Sequence, residues 1–127
     1  SSVEGKDVII IDDMISSGDS MLDVAKQIKQ RGAKRVFVCT TFGLFTDGLE
    51  RFDEFYEKGY ITKVVTTNLN YRMPELFKKP YYAEADMTRF LAMIIDLLNH
   101  DVTLSKIESP TEKINELLNS MRILKQK

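Results

Sequence analysis

The sequence holds one cysteine, one histidine and no tryptophan, and its net charge is −1. A lone thiol, Cys39, closes no internal disulfide, which fits a reducing compartment. It sits inside an apolar run, where a buried structural thiol is expected. His100 stands alone, and one ligand does not define a metal site; it is read as an exposed tail residue. With 18 basic and 19 acidic residues, no general field draws in nucleic acid or an anionic membrane, so neither partner is expected. Lys78-Lys79 is read as a solvated turn. No apolar run approaches the roughly 18 residues that span a bilayer. Ser1 to Asp7 is polar and lacks a signal-peptide pattern, and the expected location is cytoplasmic. Repeats and low-complexity tracts are missing. So are a Gly-rich P-loop and a Lys/Arg catalytic loop.

What is present suits about one globular domain with a modest core. Val8-Ile9-Ile10-Ile11 is a β-branched run of the kind buried on both faces of a parallel sheet. Asp12 to Ser20 is polar and reads as a loop. Met21, Val24, Ala25 and Ile28 then recur at helical spacing, with Asp19 or Ser20 as cap and Gly32 as stop. Arg35 to Thr40 predicts a second strand. Thr46 or Asp47 opens a helix with Leu49, Phe52, Phe55 and Tyr56 inward and Gly59 as its stop; near a ligand or not, both opening residues read first as caps. Lys63 to Thr67 predicts a third strand, Asn68 to Pro80 a polar loop, and Tyr81-Tyr82-Ala83 a short fourth strand. Asp86 caps a helix with a wide apolar face, from Met87 to Leu98. Ser109-Pro110-Thr111-Glu112 is a capping box opening a last helix through Leu124. The order predicts an α/β fold, a mainly parallel sheet flanked by helices, plus a C-terminal helix. Ligands of such sheets sit beyond the C-terminal strand ends.

The loop after the first strand carries the chemistry. Asp12 and Asp13 close the strand, a small-residue turn follows (Ser16-Ser17-Gly18-Asp19-Ser20), and a helix begins. Backbone N–H groups at a helix start attract an anion. Small residues let the chain wrap closely round a phosphate. The hydroxyls of Ser16, Ser17 and Ser20 add donors. Upstream carboxylates accept hydrogen bonds from sugar hydroxyls, or hold Mg²⁺ through water. A sugar phosphate satisfies both halves; a plain helix cap with solvated acids is the alternative.

Residues 8–20, VIIIDDMISSGDS, resemble position by position the phosphoribosyl-diphosphate signature of type I phosphoribosyltransferase folds. Over residues 6–105 the chain resembles the ribose-phosphate diphosphokinase (phosphoribosyl-diphosphate synthetase) family. The pieces are GAKRVFVCTTFGLFTDG (32–48), VVTTN (64–68) and DMTRFLAMIIDLLNHDVTLS (86–105), in order. The resemblance implies Mg²⁺-dependent transfer of diphosphate from ATP to the 1-hydroxyl of ribose 5-phosphate, in nucleotide biosynthesis. It implies a substrate-binding set of Asp12, Asp13, Ser16, Ser17, Gly18, Asp19 and Ser20. Asp12 would meet ribose hydroxyls, residues 16–20 the 5-phosphate, and Asp13 the loop or a metal-bound water. No catalytic residue and no direct metal ligand is assigned. The sequence departs from the family pattern at Ser16 (usually Asp), at Ser17 (usually Thr), at Asp19, whose carboxylate repels a phosphate unless it turns away, and at Phe42 (often His).

The resemblance also implies a division at 1–105, the C-terminal portion of a phosphoribosyltransferase-like domain, and 106–127, a helical extension. The chain is expected to be a fragment, inactive alone, with ATP bound through parts upstream of it. A free strand edge favours self-association, and a homo-oligomer is expected. A phosphoribosyltransferase and a non-catalytic regulatory relative stay open beside the diphosphokinase.

Overall fold

The computed structural model describes residues 2–100 and 110–124. The elements are β1 (Asp7–Ile15), α1 (Asp19–Gln30), β2 (Arg35–Gly43), α2 (Glu50–Glu57), β3 (Lys63–Thr67), a 3-10 helix (Pro74–Lys78), β4 (Tyr82–Ala85), α3 (Thr88–Asn99) and α4 (Pro110–Leu124). All four strands pair in parallel, in the order β1-β2-β3-β4. This is the α/β architecture expected from the sequence. Parallel neighbours need long crossovers, and the helical segments between strands supply them.

The one-way strand order sets the burial. Right-handed crossovers that always step in one direction place their helices on a single face. On that face Val36, Val38, Thr40, Val64, Thr66 and Tyr82 are buried. Met21, Leu22 and Ala25 of α1, with Phe52 and Phe55 of α2, pack over them. Each large side chain fully buried there contributes about 1.5–3 kcal/mol. On the opposite face Phe37, Cys39 and Val65 are half-buried, and Ile9 and Ile11 are 61% and 81% exposed. The expectation that Val8–Ile11 is buried on both faces is therefore wrong for this chain: β1 is an edge strand and only its helix-bearing side is covered. Cys39 shares the open face, so it is half-buried instead of buried, and that partial burial raises its thiol pKa.

Strand ends also differ from the expectation. Asp12 to Ile15 is strand, not loop, because β2 runs on to Gly43 and holds it: Asp12 pairs with Thr40, Met14 with Phe42 and Ile15 with Gly43. Residues 74–78 wind into the 3-10 helix within the segment read as a polar loop. Lys79 is no solvated turn residue, since its Nζ lies 2.5 Å from Asp53 Oδ2. Gly32 and Gly59, at φ +88° and +70°, follow α1 and α2 as the stops read from sequence.

The described residues fall into two compact units, Ser1–Thr88 and Arg89–Lys127. In the second, α3 is amphipathic but none of its residues is buried. Along α4, Ile114, Leu117, Leu118 and Met121 form an exposed apolar stripe. His100 is exposed, with Nδ1 3.3 Å from Asp96 Oδ1. The expected division at 105/106 and the Ser109 capping side chain lie outside the described residues.

Candidate functional site

The turn from β1 into α1 is three residues long, Ser16 to Gly18. Asp12 and Asp13 precede it at the C-terminal end of the strand, and both are exposed. Successive strand residues point to opposite faces. Along β1 the burial follows that alternation from Asp7 to Ile11 and then stops: Asp12, Asp13 and Met14 are all exposed and Ile15 is buried. Asp12 Oδ1 accepts the Asp13 backbone N–H at 2.9 Å.

Gly18 occupies the N-cap position in the left-handed region, at φ +89°. Asp19 is the first helical residue, so neither Asp19 nor Ser20 caps the helix as the sequence suggested. The reason is steric: a Cβ built on Gly18 would stand 2.3 Å from Phe52 Cζ. Only glycine combines that backbone angle with that approach. Phe52 in turn stacks edge-to-face on Phe45, with centroids 5.1 Å apart. Phe45 itself adopts φ +49°, a strained angle for a bulky residue that its burial holds in place. Gly43 lies against the same ring, since a Cβ there would meet Phe45 Cε2 at 2.6 Å. One aromatic pair thus supports both the Ser16–Gly18 turn and the turn that follows β2.

The Ile15 carbonyl accepts the Leu44 N–H at 2.8 Å and the Ser16 carbonyl accepts the Thr46 N–H at 3.0 Å. The Gly18 carbonyl accepts the first helical bond, from Leu22, at 2.9 Å. The N–H groups of Ser16, Ser17, Gly18, Ser20 and Met21 have no acceptor among the described residues. The Asp19 N–H makes one long bond, 3.4 Å, to Ser17 Oγ. The carbonyls of Ile15, Ser16 and Gly18 are consumed, that of Ser17 accepts no hydrogen bond among the described residues, and most of the donors remain, which suits an anion cradle at a helix start. Thr46, read from sequence as a helix cap, joins this turn through its backbone instead; the N-cap position of α2 is Leu49.

The charge of Asp19 is met from another element. Arg51, near the start of α2, donates from Nη1 to Asp19 Oδ1, and its Nη2 lies 3.4 Å from Asp23 Oδ1. Asp19 and Asp23 share one face of α1, four residues apart, and the guanidinium lies against both. Sequence reasoning missed Arg51. The paired acids were the available signal, but their partner comes from 32 residues away.

A second polar group stands at the C-terminal ends of β3 and β4. Asp86 Oδ1 accepts from Asn68 Nδ2 at 2.7 Å, and from the Thr88 N–H and Oγ1 at 2.9 and 2.6 Å. The Met87 N–H donates to Asn68 Oδ1 at 2.8 Å. These bonds, led by that from Thr88, hold the Asp86 carboxyl below the usual carboxylate range. Asp86 thus starts α3 as expected, with Asn68 as the unforeseen partner. A shallow cleft lined by Asp53, Tyr56, Glu57, Lys79, Pro80 and Tyr81 opens at the N-terminal end of β4. It lies at the opposite strand ends from the Ser16–Gly18 turn, where α/β proteins do not place their ligands.

A parallel α/β sheet with a donor-rich helix start beyond its first strand, and two acids just before it, is a geometry able to receive an anion. The phosphoribosyl synthetase-associated domain family matches residues 1–107, and the chain belongs to that family. It is 30% identical over 107 residues to a ribose-phosphate pyrophosphokinase of Shewanella oneidensis, covering 84% of this chain and 33% of that protein. It is 38% identical over 86 residues to one from Thermosipho africanus, covering 65% of this chain and 27% of the relative. The fold resembles the crystal structure of phosphoribosylpyrophosphate synthetase from Mycobacterium smegmatis. The TM-score is 0.71 at 24% identity, over 80% of this chain and 33% of that one. The chain spans about a third or less of the length of these relatives.

Proposed function

We propose that this chain supplies the ribose-5-phosphate loop of a ribose-phosphate diphosphokinase, which transfers diphosphate from ATP to the 1-hydroxyl of ribose 5-phosphate. The observation that carries the reading is the set of backbone N–H groups at Ser16, Ser17, Gly18, Ser20 and Met21 without acceptors among the described residues, beginning three residues beyond a pair of exposed acids. The 5-phosphate takes the N–H groups of residues 16–21, with the hydroxyls of Ser16, Ser17 and Ser20 at hand. Asp12 accepts from the ribose hydroxyls, and Asp13 organises the loop or a metal-bound water. The names of the relatives support the reaction. The rest of the chemistry, including ATP, belongs to parts these residues do not supply, and the chain alone is inactive.

Mg²⁺ fits this site only in one manner. Among the described residues no three His, Cys, Asp or Glu side chains cluster to hold an ion, and Asp12 and Asp13 are both exposed. Mg²⁺ keeps several waters and needs only one or two carboxylates beside substrate oxygens. Asp12 or Asp13 would hold it through water, and when bound it would neutralise diphosphate charge.

Residues 106–127 form an extension to the family domain, a reading supported by the family match ending at 107. Self-association is supported by the exposed Ile9 and Ile11 on edge strand β1. Among the described residues no helix is long and apolar enough to cross a membrane.

The test is a titration of the ¹⁵N-labelled chain with ribose 5-phosphate, followed by amide shifts so that millimolar binding registers. Saturable shifts confined to residues 12–21, and lost in Ser17→Asp, are the expected result. No shift at millimolar ligand, or shifts only elsewhere, would overturn the reading.

A further inference from the structure

The turn carries a carboxylate where its proposed ligand carries negative charge. Asp19 is the first residue of α1, and in that position an aspartate competes with an incoming anion for the same positive helix end. The side chain is not left to do so: Arg51 holds its carboxylate from α2, and reaches on toward Asp23. The guanidinium itself is steadied by the face of Phe55, 5.7 Å from Arg51 Cζ to the ring centroid. Phe55 is buried, and it lies one turn along α2 from Arg51, so the anchor of the cation is part of the core.

We propose that Arg51 is a positioning residue for the sugar-phosphate loop. It draws the Asp19 carboxylate aside and cancels its charge, and so keeps the N–H groups of residues 16–21 open to a phosphate monoester. The inference rests on the reading of residues 12–21 as a ribose-5-phosphate site and adds a residue that lies outside that loop. Without Arg51, Asp19 faces the helix end unpaired and acts as an internal competitor. The pair is exposed, so its contribution to folding is small, whereas its effect on an anion a few ångströms away is not.

A double-mutant cycle with ribose 5-phosphate, read by amide shifts, separates this role from a direct one. Arg51→Met, which keeps the apolar stem over Phe55, is expected to weaken binding about fivefold to tenfold. Asp19→Asn is expected to tighten it. The double variant Arg51→Met/Asp19→Asn is expected to recover native affinity or better, because the carboxylate on the first residue of α1 is gone. Equal weakening by Arg51→Met in the native and Asp19→Asn backgrounds would overturn the proposal, since Arg51 would then act on the ligand itself. Weaker binding by Asp19→Asn alone would overturn it as well. A ligand-free readout accompanies the cycle: Arg51→Met should move the amide resonances of Gly18 to Met21, and adding Asp19→Asn should return them. Resonances that stay still would count against the restraint itself. Should no variant bind ribose 5-phosphate while those resonances move as expected, the ligand assignment fails and the Arg51–Asp19 restraint stands as a structural fact without that function.

Discussion

Gly18 lies directly against the ring of Phe52: a Cβ on Gly18 would stand 2.3 Å from Phe52 Cζ. The glycine also holds φ +89°. Gly18→Ala therefore combines a left-handed penalty with a clash against a buried ring, and is expected to cost about 2–4 kcal/mol. Urea denaturation should show the lower midpoint. A loss below about 0.5 kcal/mol would mean that Phe52 gives way freely, contrary to its burial.

The open face of the sheet makes a second prediction. Ile11 is 81% exposed on the edge strand, so Ile11→Lys removes no core contact and should change stability by less than about 0.5 kcal/mol. It places a charge on an apolar edge and should reduce self-association. Sedimentation velocity across a concentration series checks this; an unchanged distribution would place any association elsewhere.

Acid should loosen the polar group at the C-terminal ends of β3 and β4. Asp86 has its pKa lowered by bonds from Thr88 and Asn68, and Asp7 has its pKa lowered by the hydrogen bond from Arg35. A depressed folded pKa gives stability that is present above the unfolded value, about 3.9 for aspartate. It is lost as pH falls through the folded value. Asn68→Ala should flatten that acid limb in part, since the Thr88 bonds remain; a limb unchanged in the variant would show that the Asn68 bond does not contribute to it.

Alkali acts through Tyr81. Its hydroxyl donates to Asp53 Oδ1 at 2.9 Å, and burial, then the bond to Asp53, pushes its pKa far above the ordinary tyrosine value. A raised folded pKa gives stability fully present below the unfolded value, about 10, and lost as pH rises beyond it. Ultraviolet titration should find one tyrosine that ionises only on unfolding, and Tyr81→Phe should remove that step. A full set of tyrosines titrating while the chain stays folded would contradict this.

Phe45, Gly43 and Thr46 show why part of the site was illegible in the sequence. Val8-Ile9-Ile10-Ile11 followed by two acids, small residues and an amphipathic run named the strand, the turn and the helix from local preference alone. Those preferences are properties of short segments, so they can be read without the fold. The sequence did not reveal that Asp12 to Ile15 stays in strand, because that depends on β2 extending to Gly43 alongside it. Nor did it reveal that Thr46 closes the loop from a neighbouring turn.

The same division holds for charge and burial. Composition and spacing alone determined the α/β class, the helix stops at Gly32 and Gly59, and the clustering of Asp12, Asp13 and the Ser16–Ser20 turn beside a helix start. Only the tertiary structure decided that Gly18 and not Asp19 occupies the N-cap position, because Phe52 arrives there from α2. It alone decided that Asp19 is paired, because Arg51 reaches it across the space between two helices. And it alone left Ile9 and Ile11 bare, since one-way crossovers place both helices on one side of the sheet. Local patterns fix what each segment can become; contacts between residues far apart in the chain fix which side chain meets which charge, and which face stays open.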